Sequence, residues 1–380
     1  MAVTWKQYSG VWTMQSQMQA VSAGTWTGFP YLWAWGLNNN GQLGLGNTTD
    51  YSSPKQVGAL TTWSSVSCGK NYTVSIKTDG TLWSWGSNSY GQLGLNNITS
   101  YSSPKQVGAL TTWSSVSCGG YHTVSIKTDG TLWSWGNNGY GQLGLGNTTY
   151  YSSPKQVGAL TNWSSVSCGQ YFTVSIKTNG TLWSWGYNNL GQLGLNNTTY
   201  YSSPKQVGAL TTWSSVSCGF VHTVSIKTDG TLWSWGRNQA GQLGFNTTNN
   251  YSSPKQVGAL MTWLSVACGR YHTVSIKTDG TLWSWGANAS GQLGLGNVTY
   301  YSSPKQVGAL TTWLSVSCGY FHTVSIKTDG TLWSWGQNAS GQLGLGNVTY
   351  YSSPKQVGAL TSWTKLFKGS NTRSCLAIHS

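Results

Sequence analysis

Residues 51–100 form the repeating unit of this chain, and they read YSSPKQVGALTTWSSVSCGKNYTVSIKTDGTLWSWGSNSYGQLGLNNITS. The same unit follows five more times without insertion or deletion, and the copies start at Tyr101, Tyr151, Tyr201, Tyr251 and Tyr301. A repeat of about fifty residues is typical of propellers, solenoids and other arrays of similar modules. The sequence therefore predicts one repeating body for almost the whole chain.

The two ends of the chain carry the two parts of one further unit. From Leu32 the chain enters the repeat partway, because LWAWGLNNNGQLGLGN aligns with LWSWGSNSYGQLGLNN. Residues 351–380 supply only the front of a unit and stop where the other copies continue with IKTDG. We therefore expect residues 31–380 to form a closed ring of seven units, in which residues 351–380 and 31–58 share the last one. Residues 1–30 do not fit the repeat and form a separate segment.

Alternating residues and turn signals predict four short antiparallel strands in each unit. In the first copy they read TWSSVSCG, YTVSIK, TLWSWG and PKQV, and the turn Thr78-Asp79-Gly80 joins the second strand to the third. The small residues of the first strand suit a position around a central axis, whereas the proline and lysine of the fourth suit an exposed edge. The predicted fold is all-β: a seven-bladed β-propeller of four-stranded antiparallel blades, closed by strands from both termini.

Three tryptophan positions recur in every unit and account for 21 of the 24 tryptophans. Trp83 and Trp85 lie two residues apart on the third strand and point to the same face, while Trp63 opens the first strand. We expect these rings to pack blade against blade, where a buried aromatic side chain stabilises by about 2–3 kcal/mol. Exposed platforms that stack on bases or sugars are the alternative. One ring comprises Trp35, Trp85, Trp135, Trp185, Trp235, Trp285 and Trp335.

The composition restricts the kinds of partner. Only 7% of the residues are charged, all six acids are aspartates, and the formal net charge is +14. Each unit carries two lysines, such as Lys55 and Lys77, against one aspartate, such as Asp79. The positive charge is therefore spread in rings without an arginine-rich cluster, which argues against nucleic acid as a partner.

The cysteines and the hydropathy pattern indicate a chain that folds in a reducing cytosol without a membrane span. Six of the seven cysteines occupy one repeat position, and Cys375 stands off that register. Equivalent positions in different blades are too far apart for a disulfide, so these cysteines are predicted to be small buried residues. No signal peptide and no membrane-spanning apolar run is expected.

Catalytic and metal-binding groups are not predicted. Histidine occurs at one repeat position, as in His122, but Tyr72, Phe172 and Thr372 occupy it in other units, which is typical of a packing position. Asp79 and its equivalents are turn residues that bond their own backbone. Because no group of His, Cys and Asp has ligand spacing, the sequence predicts neither an enzyme nor a bound metal or cofactor.

The units differ chiefly in two loops, the one after the first strand and the one after the third. Antiparallel strands bring both loops to the same end of the propeller, where Tyr, Asn and Arg in quantity suit an adaptable binding surface. Neutral drift in unconstrained loops is the alternative. The candidate residues are Lys70, Tyr121, Tyr171, Phe220, Arg270, Tyr320 and Phe321 in the first loop, and Tyr90, Tyr140, Tyr187, Arg237 and Gln337 in the second.

The segment 1–30 contains a predicted short helix that Thr13 caps. Met14, Met18 and Val21 recur on one side at helical spacing, and Trp12 precedes them. This apolar side is predicted to be an anchor. It packs either on the propeller, as a strap, or on another subunit of a larger assembly.

Three motifs resemble the repeat of the regulator-of-chromosome-condensation family: C-G-x-x-H-T, D-G-T-L-W-S-W-G and N-x-x-G-Q-L-G-L-G. The match covers residues 31–378, and GQLG recurs seven times in register from Gly41 to Gly341. The resemblance implies a seven-bladed propeller whose termini close one blade. The founding member exchanges guanine nucleotide on a small GTPase and sits on nucleosomes. This chain lacks the inserted wedge and the basic tail of that protein, so the exchange activity is not transferred to it.

The opening stretch YSGVWTMQSQMQAVSAGTW is also similar to N-terminal segments of structural and tail proteins of tailed bacteriophages, especially marine ones. Two functions follow as hypotheses. The first is a non-enzymatic virion component whose variable loops recognise a host protein, a glycan or a neighbouring subunit. The alternative is a cytoplasmic protein-interaction scaffold of the propeller family, including a regulator of a small GTPase.

Overall fold

The computed structural model describes residues 31–59 and 62–379. The described residues form 28 β-strands arranged in seven four-stranded antiparallel sheets. The predicted all-β, seven-bladed propeller is confirmed. The predicted anchor residues Trp12, Met14, Met18 and Val21 lie outside the described residues, and so does the helix that Thr13 was expected to cap.

Six blades are each built from four consecutive strands, and the seventh combines both ends of the chain. The strands from the start of the chain are β1 (Tyr31–Gly36) and β2 (Tyr51–Gln56). Blade 1 follows with β3 (Trp63–Cys68), β4 (Tyr72–Lys77), β5 (Leu82–Gly86) and β6 (Tyr101–Gln106). Blade 2 has β7 (Trp113–Cys118), β8 (His122–Lys127), β9 (Leu132–Gly136) and β10 (Tyr151–Gln156). Blade 3 has β11 (Trp163–Cys168), β12 (Phe172–Lys177), β13 (Leu182–Gly186) and β14 (Tyr201–Gln206).

The remaining blades repeat this arrangement. Blade 4 has β15 (Trp213–Cys218), β16 (His222–Lys227), β17 (Leu232–Gly236) and β18 (Tyr251–Gln256). Blade 5 has β19 (Trp263–Cys268), β20 (His272–Lys277), β21 (Leu282–Gly286) and β22 (Tyr301–Gln306). Blade 6 has β23 (Trp313–Cys318), β24 (His322–Lys327), β25 (Leu332–Gly336) and β26 (Tyr351–Gln356). The closing blade adds β27 (Trp363–Leu366) and β28 (Ser374–His379) to the first two strands.

The closing blade joins the chain ends through strand pairing. Its sheet order is β2-β1-β28-β27, and β28 pairs with β1 from Tyr31 opposite His379 to Gly36 opposite Ser374. Its C-terminal part begins at Trp363, because residues 351–356 form the outer strand of blade 6. The expected boundary at 351 therefore shifts by one strand, since the sequence repeat is counted from an outer strand and not from the start of a blade.

The recurrence of GQLG has a direct structural cause. The indole Nε1 of Trp85 donates a hydrogen bond to the backbone oxygen of Gln42 in the preceding blade at 2.9 Å, and the Thr73 hydroxyl donates to the same oxygen at 2.8 Å. Gly44 holds a φ of +76°, and a Cβ there would lie 2.7 Å from the Trp85 indole nitrogen. The ring closes where Trp35 donates to the Gln342 oxygen. The alternative of exposed stacking platforms is wrong for this ring, because all seven indoles are fully buried.

One lysine in each of the six complete blades is part of this packing. In blade 1 the Lys77 ammonium lies 3.8 Å from the centre of the Trp83 ring and 5.2 Å from that of Trp63, a cation–π arrangement. Removal from water lowers the pKa of Lys77 from its usual value. In the closing blade His379 takes this place, at 5.2 Å from Trp363 and 6.4 Å from Trp33. The lysines that recur at the position of Lys77 therefore contribute to the packing of the blades.

The last blade departs from the fifty-residue count by two residues. Ser374 pairs with Gly36 as Tyr72 pairs with Gly86, so Ser374 occupies the histidine position and the assignment of Thr372 to it is wrong. The loop between β27 and β28 is two residues longer than its counterparts. Cys375, which stood off register, consequently occupies the position of Thr73, and its sulfur lies 2.9 Å from Nε2 of His322.

Candidate interaction face

The two variable loops of each blade emerge at one end of the propeller, as the antiparallel topology predicts. The loop after the third strand of one blade touches the loop after the first strand of the next. Tyr90 of blade 1 and Tyr121 of blade 2 illustrate the contact, with ring centroids 5.2 Å apart. We call this end of the molecule the loop face.

The inner loops of the loop face are tied together by backbone hydrogen bonds between neighbouring blades. The amide of Lys70 donates to the oxygen of Gly120, and the amide of Gly120 donates to the oxygen of Gln170. On the other side of the ring of loops, the amide of Arg270 donates to the oxygen of Tyr320, and the amide of Tyr320 donates to the oxygen of Thr372. These bonds fix the backbone from which the variable side chains project.

One half of the loop face carries a continuous cluster of aromatic rings over blades 1 to 3. Its ring centroids lie 4.8 to 6.3 Å apart, mostly edge to face. The Lys70 ammonium donates a 2.6 Å hydrogen bond to the Tyr121 hydroxyl at its inner border. Burial, with neighbouring phenols, raises the pKa of Tyr171 and of Tyr187 to about 12. This tyrosine patch comprises Tyr90, Tyr121, Tyr140, Tyr150, Tyr171, Tyr187 and Tyr200.

The other half, over blades 4 to 6 and the closing blade, interleaves guanidinium groups with aromatic rings. The Arg270 guanidinium carbon lies 4.2 Å from the centre of the Tyr320 ring and 4.6 Å from that of Phe220. Arg237 donates a 3.2 Å hydrogen bond to the Tyr271 hydroxyl and covers that ring. This arginine patch comprises Arg237, Arg270, Arg373, Phe220, Tyr271, Tyr320 and Phe321.

The predicted site residues fall into these two patches with two qualifications. Tyr90 and Tyr140 are 38% exposed, and the other members that the sequence singled out are half-buried. Tyr320 lies in the predicted loop but is only 9% exposed, because guanidinium groups and Phe220 cover its ring. Gln337 belongs to neither patch and donates to the Tyr350 hydroxyl at 3.4 Å.

Four members of the patches were missed by sequence reasoning. Tyr150 and Tyr200 lie at the end of the loop after the third strand, just before the outer strand, whereas the candidates from that loop lie near its beginning. Tyr271 occupies the same repeat position as Tyr121, which was a usable signal. Arg373 was hidden by the two-residue shift in the last blade, because it stands where Tyr121 stands and not where the count places it.

The rest of the described surface carries regular features. Leucines of the loops that connect the blades are about half exposed at the opposite end, and each lies near the constant hairpin turn. A cavity of about 310 Å³ on the axis is lined by small residues of the first strands, such as Ser167 and Cys168, and by Lys368. The leucines repeat with the blades, whereas Phe367 and Lys368 of the closing blade break the symmetry of the cavity.

The four histidines at the repeat position and the seven cysteines are buried inside the propeller. His122 is fully buried, and removal from water lowers its pKa to about 3, so the imidazole is neutral. The seven cysteines are free and buried, and burial raises the pKa of Cys168 to about 12. Within residues 31–59 and 62–379 there is no group of three or more His, Cys, Asp or Glu side chains placed to hold a metal ion. Over the same residues no helix is long and apolar enough to cross a membrane.

The fold and the loop face define a class of protein: closed repeat propellers that present loops of varied composition at one end. The RCC1-like domain matches residues 164–379. The regulator of chromosome condensation (RCC1) repeat matches residues 31–76, 79–126 and 129–176, and a second description of that repeat matches 63–92 and 113–142. The chain belongs to the RCC1 repeat family. Comparison with curated protein sequences gave no match.

Solved structures with the same fold include human WBSCR16, with a TM-score of 0.82 and 22% sequence identity over 92% of this chain and 99% of that one. Prp20p from Saccharomyces cerevisiae has a TM-score of 0.81 and 20% identity over 93% of this chain and 92% of its own, in a study of its binding to Gsp1p and histones. Yeast RCC1 (Prp20) bound to Kap60 gives 0.80 and 20% over 92% and 88%. At these identities the likeness concerns the fold.

Proposed function

We propose that this chain is a non-enzymatic protein-interaction scaffold of the cytoplasm that binds a partner protein through its loop face. One observation carries the proposal. Blades 1 to 6 are almost copies of one another, yet aromatic side chains of the variable loops gather into one continuous tyrosine patch over three neighbouring blades. Tyrosine supplies large contact area at low conformational entropy cost, and it is enriched in protein interfaces.

Two further observations support a protein partner. Yeast Prp20p, which shares the fold, is described as binding Gsp1p and histones, and yeast RCC1 has been solved with Kap60. Free, buried thiols suit a reducing compartment. We do not extend the proposal to nucleotide exchange on a GTPase, because the six complete repeats have identical lengths and carry no inserted wedge.

The virion role stays a prediction from residues 1–30. It rests on the resemblance of the opening stretch to phage proteins. The interaction scaffold is the better supported of the two functions, because family membership and the loop face both favour it.

Site-specific photocrosslinking in cells tests the scaffold proposal. A benzophenone amino acid is placed at Tyr90 or Tyr140 on the loop face and, as a matched control, at Leu110 or Leu160 at the opposite end. We expect discrete protein adducts from the loop face that disappear when Tyr187 is also changed to Ala. Equal adducts from both ends, or none from the loop face, would contradict the proposal.

A further inference from the structure

Three arginines of the arginine patch share aromatic rings with one another. Arg237 and Arg270 both lie against Tyr271, with guanidinium carbons 4.5 and 4.8 Å from the ring centre. Arg270 and Arg373 both lie against Tyr320, at 4.2 and 5.2 Å. The three positive charges therefore form one connected row, held in place by the rings between them.

Few carboxylates among the described residues are placed to neutralise this row of positive charges. The sequence has no glutamate and six aspartates. Five of the aspartates lie in hairpin turns at the end opposite the loop face: Asp79, Asp129, Asp229, Asp279 and Asp329. The sixth, Asp50, is on the loop face, but its Oδ1 accepts a 2.7 Å hydrogen bond from the backbone N–H of Asn38. The Nε of Arg270 is buried and has no acceptor among the described residues.

We propose that Arg237, Arg270 and Arg373 form a binding site for the clustered carboxylates of an acidic segment of a partner protein. The inference rests on the proposed function and names the chemistry of the partner. The planar fork of a guanidinium matches a carboxylate through two parallel hydrogen bonds, and stacking on rings orients the fork before binding. Opposite charge brought to this row also removes the mutual repulsion of the three cations.

A carboxylate partner fits the surroundings better than a nucleic acid. Nucleic-acid binding requires a track of cations along the phosphate backbone, but here the cationic row passes into the neutral tyrosine patch. Lys70 stands at the border between the two patches, where its ammonium bonds Tyr121. The aromatic surface beyond Lys70 provides contact area for the remainder of a protein partner.

Binding of a fluorescein-labelled decapeptide of glutamate to the full chain tests this site by fluorescence anisotropy, with a glutamine decapeptide as the uncharged control. The variant R237Q/R270Q/R373Q is expected to bind the glutamate peptide about tenfold more weakly or worse, because three charge-assisted contacts are lost. The matched variant K55Q/K105Q/K155Q loses the same charge on outer strands, and its affinity is expected to stay within about twofold of the unsubstituted chain.

The outcomes separate this inference from its alternatives. Equal weakening in both triple variants would mean that only net charge matters and would overturn the site. Tighter binding of a phosphoserine peptide or of a thymidine oligonucleotide than of the glutamate peptide would overturn the carboxylate assignment. Arg373 is exposed, so R373Q alone is expected to fold and to show part of the loss. Peptide binding without loop-face crosslinks would leave the site standing while the scaffold proposal fails.

Discussion

At the scale of single residues, the tryptophans that link neighbouring blades carry much of the stability. Trp185 is fully buried and donates a 2.9 Å hydrogen bond to the Gln142 oxygen of the preceding blade. Its edge also meets Trp163 with ring centroids 6.0 Å apart. Removal of such a ring deletes apolar contact, leaves a cavity and removes one of the two hydrogen bonds that the Gln142 oxygen accepts.

We therefore expect Trp185→Ala to lower the free energy of unfolding by about 3–5 kcal/mol. Chemical denaturation followed by tryptophan fluorescence and circular dichroism measures this change. Leu160→Ala is the control, because Leu160 is half exposed, and its cost is expected to be under about 1 kcal/mol. Similar losses in the two variants would show that the tryptophan ring does not carry the packing.

The buried histidines tie stability to pH. The Thr173 hydroxyl donates to the Gln142 oxygen, so it accepts from Nε2 of His122 at 3.0 Å and leaves Nδ1 as a buried, unprotonated nitrogen. Burial lowers the pKa to about 3 in all four cases, from about 6.5 in the unfolded chain. The histidines concerned are His122, His222, His272 and His322.

Since the unfolded chain binds more protons than the folded one between pH 3 and 6.5, stability is complete above that window and falls as pH decreases through it. Each histidine contributes up to about 1.4 kcal/mol per pH unit. Replacement of the four histidines by Phe, which Phe172 shows the position accepts, is expected to shift the acid-unfolding midpoint to lower pH in a circular dichroism titration. An unchanged midpoint would mean that other groups control acid unfolding.

At the scale of structural elements, the GQLG loop is the piece that locks one blade to the next. Its backbone turns through left-handed glycines, and Gly144 at φ +75° leaves no room for a Cβ, which would lie 2.7 Å from the Trp185 indole nitrogen. Gly158 has a similar φ of +62°, but nothing lies within 4 Å of a Cβ built there. A comparison of alanine substitutions at these two glycines therefore distinguishes the cost of backbone strain from the cost of a steric clash with the tryptophan ring.

Gly144→Ala is expected to destabilise by at least about 1 kcal/mol more than Gly158→Ala, because both substitutions strain the backbone and only the first displaces a buried ring. Chemical denaturation measures both free energies of unfolding, and the denaturation midpoints can be compared directly if the denaturant dependence of the two variants is equal. Equal losses would place the whole effect in backbone conformation and leave the loop without a role in locking blades.

At the scale of the whole molecule, the two chain ends close the ring. Strand β28 supplies four fully or almost fully buried residues to the core of the closing blade, Cys375, Leu376, Ala377 and Ile378. Without this strand, β1 and β27 lose their common partner. Blades 6 and 1 then lose the closing blade that lies between them.

Deletion of residues 374–380 is therefore expected to abolish cooperative thermal unfolding and to broaden the elution profile in size-exclusion chromatography. A circular permutant is the control. In it Thr-Asp-Gly joins His379 to Tyr31, as the same turn joins Lys77 to Thr81, and new ends are placed between Gly158 and Ala159. We expect the permutant to keep a folded circular dichroism spectrum. A truncated chain that melts like the full one would contradict closure by the C-terminal strand.

The repeat pattern alone was enough to predict the blade count, the strand order, the closure by both ends and the end of the propeller at which the variable loops emerge. These features depend on local periodicity and on topology, which a gapless repeat displays directly. The contacts between loop side chains could not be predicted in this way, because Tyr140 and Tyr171 belong to different blades and their contact depends on the angle between neighbouring sheets in the folded structure. The folded structure also shows that Arg373 joins the loop face, since a two-residue insertion moves the register of the closing blade. It shows that Tyr320 is covered, since stacked guanidinium groups exclude water from its ring.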